Sequence, residues 1–561
     1  MATPSGGSTS SVVASTHINQ SQKTDNLQYL LVYMTSRKLI FLGIFLISVS
    51  IMLMLLVSCT RHPSVPTSFA ENTEQPNIYP DYRDVVVPPN IAPLNFGVSG
   101  DVDECVARFT YAGNQTTFGD GNKVLIGEDE WHEMLAKAKG TNIKVEVFTQ
   151  TKGKWTAWKP FNITIAEEEI DPYVSYRLIF PSYVAYEMLC ISERNLTNFD
   201  ETEIYNNFMA SGENDGQCVN CHAYQNYQTD NMQFHLRQGH GGTMIVHNGK
   251  AKKVDLKTDA TISAGVYPSW HPTLPLIAYS VNRTGQSFHT KSIAKIEVQD
   301  TASDLILYDA DENEVSIIAN DTTELECFPS WSPDGKWLYY CSAHFEYYND
   351  SIAHETEMIE RFREVKYDLY RKPFDTSTHT FGPAELLYQA SADSMSVTFP
   401  RVSPDGRYVL VARAPFGCFH VWHPDADLYV YDLKTKQLRE LTEANSPRAE
   451  SYHSWSSNGR WMVFISRRDD SNYSRLYFSY FDKNGRAHKA FELPQSDPDF
   501  YTYFMRSYNV PEFMKETVKL TPQELASVAK TDPEKAKYKP TGNEHKTNTQ
   551  NEKEGNEFII N

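Results

Sequence analysis

Four stretches of this chain are near copies of one another, and they limit its fold more than any other feature. They are Tyr267-Pro268-Ser269-Trp270-His271-Pro272, Phe328-Pro329-Ser330-Trp331-Ser332-Pro333-Asp334-Gly335-Lys336, Phe399-Pro400-Arg401-Val402-Ser403-Pro404-Asp405-Gly406-Arg407 and Tyr452-His453-Ser454-Trp455-Ser456-Ser457-Asn458-Gly459-Arg460. An apolar run follows each one, at 276–280, 337–342, 408–412 and 461–466. Pro-Asp-Gly between two apolar runs is a tight turn, in which proline presets φ and glycine takes the positive φ. A second signature trails the first: Asp304-Leu305-Ile306-Leu307-Tyr308-Asp309 and Asp427-Leu428-Tyr429-Val430-Tyr431-Asp432, with looser versions at Asp368-Leu369-Tyr370 and Arg475-Leu476-Tyr477. Units of about four strands recurring every 50–70 residues or so predict a β-propeller.

The turn motif resembles that of the TolB-type propeller family, whose repeats carry Ser-Pro-Asp-Gly-Lys/Arg ahead of a strand. The resemblance covers residues 243 to about 495 and implies five or six blades. The first copy departs from it, with His271-Pro272-Thr273-Leu274-Pro275 at the turn. In such turns Asp334 and Asp405 are expected to shape the backbone rather than catalyse. His420-Val421-Trp422-His423 either lines a central funnel or packs. Cys327 and Cys341 bracket one turn and are candidates for a disulfide within a blade, as Cys105 and Cys190 are further upstream.

Just before the repeats lies Cys218-Val219-Asn220-Cys221-His222. Two cysteines three apart with an adjacent histidine is the spacing of covalent haem c attachment. Cys218 and Cys221 would form the thioethers and His222 would ligate the iron. A zinc half-site, a redox dithiol and coincidence are the competing readings. Zinc needs two further ligands and no second CxxC is present, while a dithiol of the thioredoxin kind needs a βαβ unit. The segment 224–242 is expected to supply a sixth iron ligand, Met232 or His235, on one helical face at spacing three.

The beginning of the chain carries an address. Residues 1–33 are rich in Ser, Thr and Gln, Ser36-Arg37-Lys38 is basic, and residues 39–57 are apolar, ending in Leu56-Val57-Ser58-Cys59. A transmembrane anchor is one reading. A lipoprotein signal is the other: the tetrapeptide resembles a lipobox, in which Cys59 becomes the acylated N-terminus. Met34 is then an alternative start to Met1. Lipobox, CxxCH and repeats together resemble envelope lipoproteins of Bacteroidetes-type bacteria.

The fold class expected is therefore all-β, with six segments. Residues 1–58 form a disordered prefix and signal peptide, and 59–84 a Pro/Ser/Asn-rich tether. An N-terminal β-sandwich-like domain follows over 85–200, with one helix at 128–138. Residues 201–242 form the haem segment, 243–510 the propeller, and 511–561 a short helix opening at Thr521-Pro522 and a disordered tail. A net charge of −19 from 71 acidic and 52 basic residues argues against a nucleic-acid surface. No Gly-x-Ser-x-Gly elbow, phosphate loop or paired-histidine helix occurs, so a hydrolase is not expected. The functional expectation is an electron carrier or redox sensor, lipid-anchored at the outer membrane or a periplasm-facing membrane, docking a protein partner through its propeller. Peroxidase-like chemistry at an open sixth position is a weaker third reading, and a haem-free envelope scaffold is the alternative.

Overall fold

The computed structural model describes residues 62–180, 188–212, 216–289, 291–348 and 351–541. Cys59 and the apolar run before it lie outside the described residues.

The all-β expectation holds, and the described residues build a six-bladed propeller in which blades 3 and 4 are joined into one ten-stranded sheet. Blade 2 is Cys218–Gln225, Gln228–Arg237, Gly242–His247 and Lys250–Asp255. Blades 3 to 6 open with Gly265–Trp270, Glu324–Trp331, Ser396–Val402 and Glu450–Trp455, each followed by antiparallel neighbours. Blade 1 is built from both ends of the domain: Tyr173–Ile179, Cys190–Asn195 and Glu201–Asn206 are completed by Ser507–Met514 on the inner edge. The six inner strands neighbour one another in a closed ring, so the late strand shuts the circle and leaves no free inner edge.

One local device recurs in every blade. Each inner strand carries a β-bulge, two residues opposing one on the next strand. The bulged pairs are Cys221-His222, Tyr267-Pro268, Phe328-Pro329, Phe399-Pro400, Tyr452-His453 and Val510-Pro511. The first member of each pair has a positive φ, between 42° and 58°. Proline suits the second position because its missing N–H is not needed at a break in the ladder. The Ser-Pro-Asp-Gly turns behave as expected. Ser332 Oγ donates to Asp334 Oδ1 (2.6 Å), and Lys336 N donates to the same oxygen (3.1 Å). Ser403–Asp405 and Ser456–Asn458 repeat the arrangement.

Residues ahead of the propeller form a seven-stranded mixed sheet around Asn142–Thr151 and a three-stranded sheet of short strands. Helix Glu128–Ala138, where the sequence places it, buries Trp131, Met134, Leu135 and Ala138. This core runs on without a break into blades 6 and 1 through Trp461, Phe478, Phe491, Tyr508 and Phe513. Trp461 Nε1 donates to the Glu168 carbonyl (3.1 Å), and Asp171 accepts from both the N–H and the hydroxyl of Ser457.

Three boundaries move from their expected places. The strands Tyr173–Ile179 and Cys190–Asn195, expected in the N-terminal domain, and Glu201–Asn206, expected in the haem segment, belong to blade 1. Residues 218–242, expected as a separate haem segment with a helix, lie within blade 2, so the propeller starts near Tyr173. The tail expected to be structureless after Thr531 pairs Glu534–Lys535 and Lys537–Tyr538 with the outer edges of blades 2 and 3. It covers edges that would otherwise stay open. Helix Pro522–Ala529 precedes it, with Thr521 and Glu524 forming a capping box. All described cysteines are free thiols, so the Cys105–Cys190 and Cys327–Cys341 pairings are not made.

Ring closure rests on the late strand. Phe513 is buried there, with its ring 6.2 Å from that of Phe478. Phe513→Ala is expected to cost about 3–5 kcal/mol, read as a lower denaturant midpoint.

Candidate functional site in the propeller funnel

The bulges set the geometry of the channel. A positive φ turns the first residue of each pair toward the axis, where Tyr267, Phe328, Phe399 and Tyr452 pack in sequence, edge to face or tilted. Successive ring centroids are 4.6, 4.3 and 4.6 Å apart. Cys221 and Val510 hold the two remaining places in this ring. On one side opens a funnel with a cavity volume of about 170 Å³, lined by the bulge residues and by Arg177, Asn220, Arg237, Thr284, Gln286, Arg401 and Phe419. On the other side a second opening is lined by Tyr224, Trp270, Trp331, Trp455 and Phe513. Arg401 reaches both and is neutralised by Glu512 at 2.6 Å.

The pentapeptide is thus the inner strand of a blade. Cys221-His222-Ala223-Tyr224 stands where Tyr452-His453-Ser454-Trp455 stands four blades on. Cys221 takes the aromatic position with φ 51°, and Gln233 Nε2 donates to its carbonyl. Cys218 lies three residues earlier, opposite Arg237 in register, and its sulfur accepts from Asn220 Nδ2 at 3.0 Å. A CxxC on an inner strand differs from the helix-opening dithiol of thioredoxin-like proteins. Among the described residues no group of three or more His, Cys, Asp or Glu is placed to hold a bare metal ion.

Two histidines share the second bulge position and differ in one respect. His453 is 2% exposed, and its Nε2 donates to the carbonyls of Phe399 (2.7 Å) and Leu410 (3.1 Å). His222 is 1% exposed, yet neither ring nitrogen makes a hydrogen bond of good geometry. Burial, with help from the Arg177 charge, drives its pKa down to about 3, against a weak opposing contribution from the Ser175 backbone. The ring is therefore neutral across the physiological range.

The expected sixth ligands sit on a strand, not a helix. On Gln228–Arg237, residues three apart face opposite ways. Met232 is fully buried with Tyr205, Val219, Phe234, Leu236 and Met244 in the core beside blade 2, so it is a packing residue. His235 faces the other way, cross-strand from Asn220, with Nδ1 3.0 Å from Thr243 Oγ1. The pairing of Met232 and His235 as interchangeable ligands on one face is corrected by this geometry. His420 and His423 do not line the funnel. They are buried against Thr398 (2.9 Å) and Glu297 (2.8 Å) respectively.

What the residues offer agrees with a covalently held haem in three respects. Cys218 and Cys221 are free thiols on the strand bordering an open funnel. His222 lies in the wall of that funnel with a neutral imidazole whose ring nitrogens are buried and make no hydrogen bond of good geometry. The remaining wall is aromatic, with arginines at hand for anionic substituents. The sequence missed that CxxCH is a repeat unit. The clue was present in the match of Cys221-His222-Ala223-Tyr224 to Tyr452-His453-Ser454-Trp455, but the Asp-Gly turn that marks other copies is absent after Tyr224.

No protein-family model matches the sequence, and no curated protein matches it. The solved structures it is similar to include TolB from Acinetobacter baumannii, with a TM-score of 0.38 and 12% identity, covering 69% of this chain and 85% of that one. Prolyl oligopeptidase B from Galerina marginata gives 0.33 and 9%, covering 62% of this chain and 42% of that one. Oligogalacturonate lyase from Vibrio parahaemolyticus gives 0.29 and 11%, covering 56% and 92%.

Because His222 titrates near 3 in the fold and near 6.5 when unfolded, acid favours the unfolded chain. The stability this imidazole leaves intact above pH 6.5 is lost as pH falls toward 3. Wild type is expected to lose up to about 1.4 kcal/mol per pH unit relative to His222→Gln over that window. Paired urea titrations at pH 7, 5.5 and 4.5 measure it.

Proposed function

We propose that this chain is a lipid-anchored protein of the bacterial cell envelope, acylated at Cys59, whose propeller carries one covalent haem c. It passes electrons to, or reports redox state to, a protein partner docked on the propeller. The observation that carries the reading is the buried imidazole of His222, unpaired beside Cys221 at the funnel wall. At the same backbone position His453 shares an unpaired Nδ1, but its Nε2 donates to the carbonyls of Phe399 and Leu410. A buried polar group left without a partner costs about 1–3 kcal/mol, and a ligand is the natural compensation.

Each residue has a separate task. The Cys218 and Cys221 thiols would add across the two vinyl groups, each sulfur forming a bond to carbon while its proton goes to the neighbouring carbon. No oxidant is needed for that addition. His222 would donate its neutral nitrogen as proximal ligand, fixed by the bulge. The ring of Tyr267, Phe328, Phe399 and Tyr452 would keep water from one face. His235 remains a candidate sixth ligand, on condition that it exchanges its contact with Thr243. When bound, haem supplies one-electron chemistry, at a potential set by the sixth ligand and by burial.

A haem-free binding scaffold is the second reading, favoured by the register of the pentapeptide with the other five bulges. Blade architecture alone accounts for a strand at that place. It does not account for the choice of Cys218, Cys221 and His222 there, and fold alone never fixes function.

The two readings separate in one experiment. Expressed with a cytochrome c maturation system, the wild-type chain is expected to give a pyridine haemochrome band of the c type that survives denaturation. Cys218→Ala/Cys221→Ala is expected to abolish it. A wild-type chain without the band, in a host that matures a control cytochrome, rules the haem reading out and leaves the scaffold. Acylation is tested apart from this: Cys59→Ala is expected to move the protein from the membrane to the soluble fraction.

A further inference from the structure

The charge of the funnel runs against the charge of the chain. Overall the protein carries −19, yet among the described residues no Asp or Glu lines the funnel, whereas Arg177, Arg237 and Arg401 do. Arg401 is spoken for by Glu512. Arg177 and Arg237 have no carboxylate partner among the described residues. Arg177 lies on the first strand of blade 1, and its Nη1 makes only a long contact to the Val219 carbonyl (3.4 Å). Its Nε is buried without a hydrogen-bond partner. Arg237 ends the second strand of blade 2, opposite Cys218, and is exposed at the funnel mouth. Both residues line the same funnel as Tyr452.

We propose that Arg177 and Arg237 form a carboxylate-receiving site in this funnel, for a flat apolar ligand that lays its body on the aromatic ring and its carboxylates against the two guanidiniums. Guanidinium and carboxylate match in geometry and charge, and the pairing gains strength where water is partly excluded. The packed aromatics provide the apolar half of the same recognition. The inference deepens the haem reading, since propionates are such carboxylates, and it rests on that reading only for the identity of the ligand. A free aromatic carboxylate has the same chemistry and is the other source.

The test uses the full chain made without haem maturation, in the Cys218→Ala/Cys221→Ala background, so that no covalent attachment can contribute. Protoporphyrin IX and its dimethyl ester are titrated by Soret shift and fluorescence, with naphthalene-2,6-dicarboxylate as a smaller probe. The diacid porphyrin is expected to bind at least about tenfold tighter than the ester, with the advantage shrinking as salt rises. Arg237→Gln, at an exposed position, is expected to erase most of that advantage while leaving the ester's affinity unchanged. Arg177→Gln is expected to do the same, provided that its melting temperature shows a folded chain. Tighter binding of the small dicarboxylate than of the porphyrin, lost in Arg237→Gln, keeps the proposal and assigns the site to a free carboxylate. Equal affinity for diacid and ester, or an advantage untouched in folded Arg237→Gln, overturns it. A carboxylate-selective funnel in a chain that never matures a haemochrome retires the haem reading and leaves this one standing. A covalent haem with no carboxylate selectivity does the reverse.

Discussion

The bulge in each inner strand is the constraint on which the rest of this propeller depends. It forces a non-glycine residue to a positive φ, a conformation costing about 1–3 kcal/mol, in all six blades. Such strain persists only where the surroundings over-determine it. Here the surroundings are the neighbouring bulges: Tyr267 packs against Phe328, Phe328 against Phe399, and Phe399 against Tyr452. Edge-to-face and tilted pairs contribute beyond their area, and the apolar burial adds more. The axis is thus a cooperative plug, with each ring held by the next. Cys221 and Val510 interrupt it on adjacent blades, which leaves the plug open on one side.

How far this was legible in the sequence depended on which half of the repeat a blade kept. Blades 3 to 6 retain an aromatic, mostly ahead of Pro and Trp, and the Asp-Gly or Asn-Gly turn identifies three of them. Turn chemistry is local, so it survives reading one residue at a time. Blade 2 keeps the bulge but has Cys221-His222 in it and Asn226-Tyr227 at its turn. Blade 1 draws its bulge, Val510-Pro511, from more than 300 residues beyond its second strand. Closure between distant segments leaves no local trace, which is why 173–200 read as part of the preceding domain and 201–206 as part of the haem segment. The tail misled for a related reason. Its Lys/Glu-rich composition is that of a solvated segment, and what orders it is the unpaired edges of blades 2 and 3.

The candidate site was half legible. Spacing alone marked Cys218, Cys221 and His222 as chemically unusual, and nothing in the fold makes them ordinary. Met232 illustrates the limit. Read with helical period, it fell beside His235. Read with strand period, it turns into the core with Phe234 and Leu236. The period of the segment decided the assignment, and ten residues of mixed polarity did not reveal it.

Electrostatics supply the last step. A surface rich in carboxylates repels anions over roughly a Debye length, about 10 Å at moderate salt. Within the funnel this field is opposed by Arg177 and Arg237, close to an imidazole that burial keeps uncharged. A small anion approaching the mouth therefore meets attraction only at short range, where orientation already matters. Such an arrangement does little to speed encounter and much to select a ligand whose charge and apolar face are correctly spaced. It also explains why the guanidiniums belong to two blades. Neither blade presents the pair alone, so the proposed site depends on blades 1 and 2 lying side by side.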